Sequence, residues 1–423
     1  MKNRPTILFV TSVIGHPPKG GPELRIENSI KALHRISTLS LYCRVARANM
    51  GGEAAVDFLQ RFANRIYFAP FCQRQTGPIF FISRVINWIA RTVAGRNMIP
   101  DSVEGEDDYA DVVSRAQSLK VDVIWLGYGN ISYPLLKHIK EHSTIPVVLD
   151  TDSVWSRYVL RGLPYADNEA ERRKIAEKGV QKAEEERWGT ELADVTTGVS
   201  DVDVEYYRSL SSDPARVRRF SNVIDLDSYA QTSPPEDLQK PCIYLAGSFW
   251  PGSPMEDAAR WMLEHVWPLL RQALPELHFY IIGKASDTVL ADVRDDKVTI
   301  TGTLPTVLPY LTNVSVVVVP LHFESGTRFK ILEAGACSVA VVSTSLGAEG
   351  IPVENEKNIL IADTPEDFAV SIIKIIRDQE LATSLGRNLR ELVAENFSLD
   401  ALAKEGSEIL DYVVKTNNKT VEG

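Results

Sequence analysis

The sequence predicts an α/β protein made of two doubly wound units, each a parallel sheet flanked by helices. Eleven short apolar runs punctuate the 423 residues, with helical patterns between them. The runs are apolar at successive positions, as strands buried on both faces are. A polar, proline-rich stretch, QTSPPEDLQKP at 231–241, separates the first six runs from the last five. We place the unit boundary there, with one unit over 1–235 and the other over 236–397.

In the first unit the expected strands are TILFVTS, LSLYCRV, RIYFAP, VDVIWLG, PVVLD and VTTGVS. In the second they are CIYLAGS, HFYIIG, KVTITG, VSVVVVP and VAVVST. After CIYLAGS comes a helix with a readable start. Ser253 suits the N-cap, Pro254 the first helical position, and Glu256 completes a capping box. Ala258, Trp261, Met262, His265, Val266, Leu269 and Leu270 then follow helical spacing. The highly charged stretch 169–192 reads as a solvated helix.

Composition narrows the function classes. Hydrophobic content of 44% and charged content of 24% are those of a globular protein. A net charge of −10 argues against general affinity for nucleic acid. Four scattered cysteines, with no CxxC spacing, suit free thiols and give no zinc or disulfide signal. The start MKNRPTILFVTS reads as a first strand rather than a signal peptide, and no apolar run is long enough for a bilayer. The expected location is the cytoplasm. His138 and His142 stand four apart on an expected helix, which reads as an exposed face and not as a metal site. GxSxG, HExxH and the phosphate loop GxxxxGK[ST] are absent. GYGN at 127–130 lacks the third glycine of a dinucleotide-binding turn.

Two doubly wound units place a cleft between the carboxyl ends of their sheets, where ligands bind. Four stretches carry the candidate chemistry. GHPPKGGPELR at 15–25 follows the first strand; Gly20 and Gly21 allow close approach, and the next helix points its N–H groups there. ESGTRFKILEAGA at 324–336 opens a helix with Arg328 and Lys330, cations at the positive end of a dipole. A diphosphate held by Gly326, Thr327, Arg328 and Lys330 would reverse that penalty, with Glu333 accepting from ribose hydroxyls. The alternative is ordinary pairing of Lys330 with Glu333 and of Arg328 with Glu324. VVLDTDSVWSRY at 147–158 puts Asp150 and Asp152 on one face if the strand continues; otherwise Asp152 or Ser153 caps the next helix. GPIFFISRVINWIARTVAGRN at 77–97 interleaves Arg84, Arg91 and Arg96 with apolar residues. It is either a helix packed on its own unit or a contact, over 78–96, with an anionic membrane surface.

GSFWPGSPMEDAARWMLEHVWPLL, VPLHFESGTRFKILEAGA and VVSTSLGAEGI, in that order, resemble family 4 (group 1) retaining glycosyltransferases of the GT-B fold. SNVIDLDSY at 221–229 fits the same family. The resemblance implies two Rossmann-like domains facing across a cleft. The first would be on the acceptor side, the second would hold the nucleotide sugar, and a last helix near 398–416 would cross back to the first. It implies donor contacts at Gly20, Gly21, Gly247, Ser248, Gly302, Ser325, Gly326, Thr327 and Glu333. The catalytic candidates are Asp152, Arg328, Lys330 and Glu324. The family's E-x7-E ends on Glu333 and begins at Ser325, one residue after Glu324. AGSFWPGSP lacks the family's Arg and Lys, so Arg328 and Lys330, with His322, are expected to replace them. Asp152 takes the place of a family histidine. The implied activity transfers a sugar from a nucleoside diphosphate sugar to a hydroxyl acceptor, in polysaccharide or glycolipid assembly, without metal or cofactor. Alternatives are a GT-B-like nucleotide-sugar epimerase, a non-catalytic GT-B partner, and a GT-A enzyme binding metal through Asp150 and Asp152.

Overall fold

The computed structural model describes residues 4–70, 106–166 and 168–421. The arginine-bearing stretch 77–97 lies outside the described residues. Two parallel sheets form the frame. The first holds β1 (Thr6–Thr11), β2 (Thr38–Cys43), β3 (Arg65–Phe68), β4 (Val123–Gly127), β5 (Val147–Asp150), β6 (Val195–Gly198) and β7 (Val217–Arg219), in the order β3-β2-β1-β4-β5-β6-β7. The second holds β8 (Cys242–Ala246), β9 (His278–Ile282), β10 (Val298–Ile300), β11 (Val316–Val319), β12 (Val341–Ser343) and β13 (Leu360–Ile361), in the order β10-β9-β8-β11-β12-β13. Pairing between neighbours is parallel throughout, for example Phe9 beside Leu41 and Val317 beside Val341.

The continuous apolar runs explain this arrangement. Ile7, Leu8 and Phe9 are all buried, as are Val316, Val317, Val318 and Val319, so each strand needs cover on both faces. All eleven expected strands form. β7 and β13 are additional, and each lies at the edge of its sheet.

Chain order reverses between β1 and β4 in the first sheet and between β8 and β11 in the second. Those two switch points open crevices at the carboxyl ends of the strands. The loops 12–20 and 128–132 border the first crevice. The loops 247–253 and 320–328 border the second.

The helix Pro254–Trp261 starts as its sequence requires. Ser253 Oγ accepts from Glu256 N at 3.0 Å, while the Glu256 carboxylate reaches back to Gly252 N at 2.8 Å. The capping box is thus shifted one residue from its usual backbone partner. Met262–Val266 then forms a π turn before the helix Trp267–Ala273. Pro268 has no N–H to offer, so the ladder is locally rebuilt.

The last helix, Leu399–Val421, returns to the first lobe. Asp400 pairs with Arg35, and Glu405 accepts from Arg219 Nε and Ser221 N at 2.8 Å each. Gly406 is needed for the approach, because a Cβ there would lie 3.0 Å from Ile36 Cδ1. No helix among the described residues is long and apolar enough to cross a membrane.

Candidate active site

The two switch points face one another. Gly21, at the start of the helix Gly21–Ile36, lies so close to Phe329 that a Cβ would meet its ring at 3.1 Å. Gly326 packs on the opposite lobe, where a Cβ would stand 3.0 Å from Ser153 Cβ and 3.1 Å from Asp152 O. Its φ of +81° also favours glycine.

The second-lobe wall is the stretch 324–330. It leads into the helix Phe329–Ala336, which has no acidic residue in its first turn and no side-chain cap. Neither ordinary pairing forms. Arg328 is buried; its guanidinium donates to the carbonyls of Gly326 and, at 3.4 Å, Leu346. Burial holds its pKa below the usual arginine range, against the opposing fields of Glu324 and Glu349. Lys330 is half-buried, and among the described residues its ammonium has no ion-pair partner; burial lowers its pKa too. Three buried polar atoms next to them, Ser325 Oγ, Thr327 Oγ1 and Arg328 Nε, have no hydrogen-bond partner among the described residues. Buried donors are normally satisfied, and leaving them unpaired is costly. A helix N-terminus, two cations with no ion-pair partner among the described residues and orphaned hydroxyls together form a cradle for an anion.

Just over one turn into that helix, Glu333 Oε1 accepts from Tyr229 Oη at 2.9 Å. No hydrogen bond from the described residues reaches Oε2. Burial raises the Glu333 pKa, and the Tyr229 bond and Lys330 counter that rise. Glu324 is half-buried; its carboxylate accepts from the N–H of Ser325 at 3.2 Å. His322 is committed to Asp257 through Nδ1 at 2.8 Å, its ring set edge-on to Trp261. Gly247 and exposed Ser248 follow β8 at the same crevice. Gly302 lies beyond β10, two strands away, and gives its N–H to Ser286 Oγ at 3.1 Å. It shapes the loop and leaves no donor free.

On the first-lobe wall, the two aspartates separate. β5 ends at Asp150, so the alternation that would put both on one face stops there. Asp150 is fully buried; it pairs with Arg25 and accepts from Thr197 Oγ1 at 2.9 Å and Trp125 Nε1 at 3.1 Å. Its oxygens are spent on the fold, which removes the GT-A metal reading along with the two-sheet architecture. Asp152 is half-buried and accepts from Trp155 Nε1 at 3.0 Å. Burial pushes its pKa up to about 6, opposed by Arg25 and by bonds from Trp155 and Tyr128. Neither Asp152 nor Ser153 caps the helix Trp155–Arg161. Tyr128, inside GYGN, adopts φ +65°, and its ring stands edge-on to Trp155. At Gly20 and Gly21 the helix start already has a carboxylate beside it, because Glu23 accepts from Lys19 N at 2.6 Å.

Three residues were missed from sequence. Tyr229 closes the SNVIDLDSY motif and could have been suspected. Arg161 and Glu349 join the lobes through two bonds of 2.9 and 2.7 Å; Glu349 lies within the VVSTSLGAEGI stretch, whereas nothing in the sequence marks Arg161.

Two Rossmann-like lobes with facing switch points define the GT-B architecture, and solved structures agree over nearly the whole chain. Sucrose-phosphate synthase from Thermosynechococcus elongatus superposes with a TM-score of 0.69 at 17% identity, over 98% of this chain and 100% of that one. The Anabaena protein HepE in complex with UDP and glucose gives 0.60 at 16%, over 96% and 99%. S. aureus TarM, as a variant in complex with Fondaparinux, α-GlcNAc-glycerol and UDP, gives 0.61 at 10%, over 96% and 99%. At these identities the likeness is one of fold. More specifically, residues 240–378, most of the second lobe, match the family described as glycosyl transferases group 1. An uncharacterized glycosyltransferase of Methanocaldococcus jannaschii is 30% identical over 91 residues, which are 21% of this chain and 23% of that protein. The match to that curated relative thus spans under a quarter of its length.

Proposed function

We propose that the chain is a retaining glycosyltransferase that moves a sugar from a nucleoside diphosphate sugar to a hydroxyl of a glycan or lipid-linked acceptor, in polysaccharide or glycolipid assembly. The observation that carries this reading is the cradle at the second switch point: Ser325 Oγ, Thr327 Oγ1 and Arg328 Nε, and beside them the Lys330 ammonium, without partners among the described residues. Breaking the bond between the anomeric carbon and the phosphate oxygen builds positive charge on the sugar and negative charge on the departing diphosphate. Fixed donors and cations at the diphosphate stabilise that charge without reorganising. The protein's own cations meet the charge, so the reading calls on no metal or organic cofactor.

Glu333 receives the ribose hydroxyls through Oε2, with Oε1 steadied by Tyr229. Glu324 and Ser325 border the donor sugar, and the backbone of Asp152 and Ser153 lies against Gly326 beside them. With a pKa of about 6, Asp152 is charged at neutral pH and can orient a sugar hydroxyl. The UDP and sugar ligands of HepE and TarM support a nucleotide sugar donor and a sugar acceptor.

The test is a screen of UDP, GDP, ADP and dTDP sugars for binding and for acceptor-independent hydrolysis. At least one is expected to bind and to release its diphosphate. Binding of none would overturn the reading. A changed sugar still attached to its nucleotide would assign an epimerase instead.

A further inference from the structure

We infer that Arg161 is a positioning residue that holds the diphosphate cradle in register with Asp152. The inference rests on the function proposed above. It follows from one helix, Trp155–Arg161, which begins three residues after Asp152 and ends on Arg161. The Arg161 guanidinium forks onto Glu349 of the second lobe, with bonds of 2.9 and 2.7 Å. Its Nη1 also donates to the carbonyl of Glu324 at 2.6 Å. At the near end of the same segment, Asp152 O and Ser153 abut Gly326.

The loop 324–326 is therefore held by the first lobe at both ends: through Asp152 and Ser153 at Gly326, and through Arg161 at Glu324. That loop directs the orphaned Ser325 and Thr327 hydroxyls and the start of the helix bearing Lys330. A forked guanidinium–carboxylate pair fixes direction as well as distance, which lysine at this place cannot do. Arg157, one turn earlier, is tied to Asp203 at 3.1 Å, so the helix carrying the fork is itself anchored. Ring packing of Tyr165 on Phe323, at 4.6 Å between centroids, aligns the same interface. Arg161 meets backbone and an acid of the opposite lobe, and it need not touch the nucleotide. Its effect is to bring the second-lobe cradle and the first-lobe carboxylate to one place when the lobes meet.

The experiment uses the full chain, UDP as the binding probe, and the nucleotide sugar that the screen identifies for turnover. Arg161→Ala is expected to lower kcat by about 10²-fold, the scale of an ångström-sized misplacement, with a smaller change in KM. Glu349→Gln keeps the bond from Arg161 to the Glu324 carbonyl but loses the charge and one of the two fork acceptors, so its kcat should fall between Arg161→Ala and wild type. Arg161→Lys should recover part of the loss and no more. Thermal midpoints of all three should stay near wild type, because the fork is half-exposed and each lobe keeps its own core. Unchanged kcat in Arg161→Ala, or full recovery by lysine, would overturn the inference. So would a kcat loss matched by an equal fall in thermal midpoint. Wild-type protein that binds no nucleoside diphosphate would instead sink the reading of the site, independently of Arg161.

Discussion

The Tyr229 hydroxyl donates a hydrogen bond to Glu333 Oε1 at 2.9 Å, and in doing so fixes which oxygen of that carboxylate faces the crevice. The tyrosine comes from the segment just ahead of the linker; the glutamate sits inside a second-lobe helix. Burial favours the protonated form of Glu333, and the Tyr229 bond works against that. Tyr229→Phe removes a bond to a charged group, of about 1.5–3 kcal/mol in general. The Glu333 pKa, already raised, then rises further. UDP affinity should therefore fall by roughly tenfold or more near neutral pH. The acid limb of its pH profile should move to higher pH. Calorimetric titration between pH 5 and 8 measures both; an unmoved limb would detach Tyr229 from the ribose contact.

Arg328 and Lys330 differ in what they give up. Arg328 is anchored to two carbonyls of its own lobe, whereas Lys330 has no ion-pair partner among the described residues. Arg328→Ala should lower kcat by about 10²-fold or more, as loss of one key charge stabiliser does. It should also cost stability, since two carbonyls lose their donor. Lys330→Ala should lower kcat on a similar scale while leaving the thermal midpoint level or higher, because it removes a half-buried charge that burial disfavours. Paired kinetics and melting curves separate the two. A Lys330→Ala protein with wild-type turnover would remove lysine from the cradle.

Asp152 makes a pH-dependent trade. Its pKa in the fold, about 6, stands above the ordinary aspartate value of about 4. The folded state therefore binds its proton more tightly than the unfolded state does. Between about pH 4 and 6 that preference is lost as the proton leaves, and above pH 6 the folded chain bears the full cost of the charge. Asp152→Asn should stabilise the protein at pH 8 by roughly 1–3 kcal/mol and by almost nothing at pH 4. Turnover should fall at both. Melting curves at the two pH values check the sign; equal shifts would mean that the carboxylate is not the strained group.

How much of this was legible depended on whether a residue's reason for being there is local. The parallel strands were legible because burial on both faces writes itself as an unbroken apolar run, as in VVVV of β11. β7, with sequence VRR, was not, because an edge strand needs only one apolar position to dock and keeps its polarity outward. The cradle was legible because Arg328 and Lys330 oppose the dipole of the helix they begin, a conflict visible within thirteen residues. Arg161 and Glu349 stand 188 positions apart, and neither Arg161 nor the VVSTSLGAEGI stretch that holds Glu349 names its partner. The Asp150 and Asp152 pair misled for a related reason. Spacing gives the face of a residue only while the strand lasts, and β5 stops at Asp150. Gly302 matched the family pattern, but Ser286 takes its N–H.

Gly326 offers the sharpest test of lobe contact, because a second glycine controls for backbone strain. Gly326 and Gly252 both sit in the left-handed region, at φ +81° and +73°. Replacing either with alanine costs about 1–2 kcal/mol of backbone energy. Around Gly252 a Cβ would find open space within 4 Å, while at Gly326 it would press on Ser153 Cβ and Asp152 O. Gly326→Ala must therefore push the cradle away from Asp152, or move Asp152 with it. Gly252→Ala disturbs only its own turn. Both variants should melt a few degrees lower, by similar amounts. Gly326→Ala alone should lose about 10²-fold or more in kcat, as reacting groups drift from their aligned positions. Equal turnover in the two variants would show that the contact between Gly326 and the first lobe has no part in assembling the site.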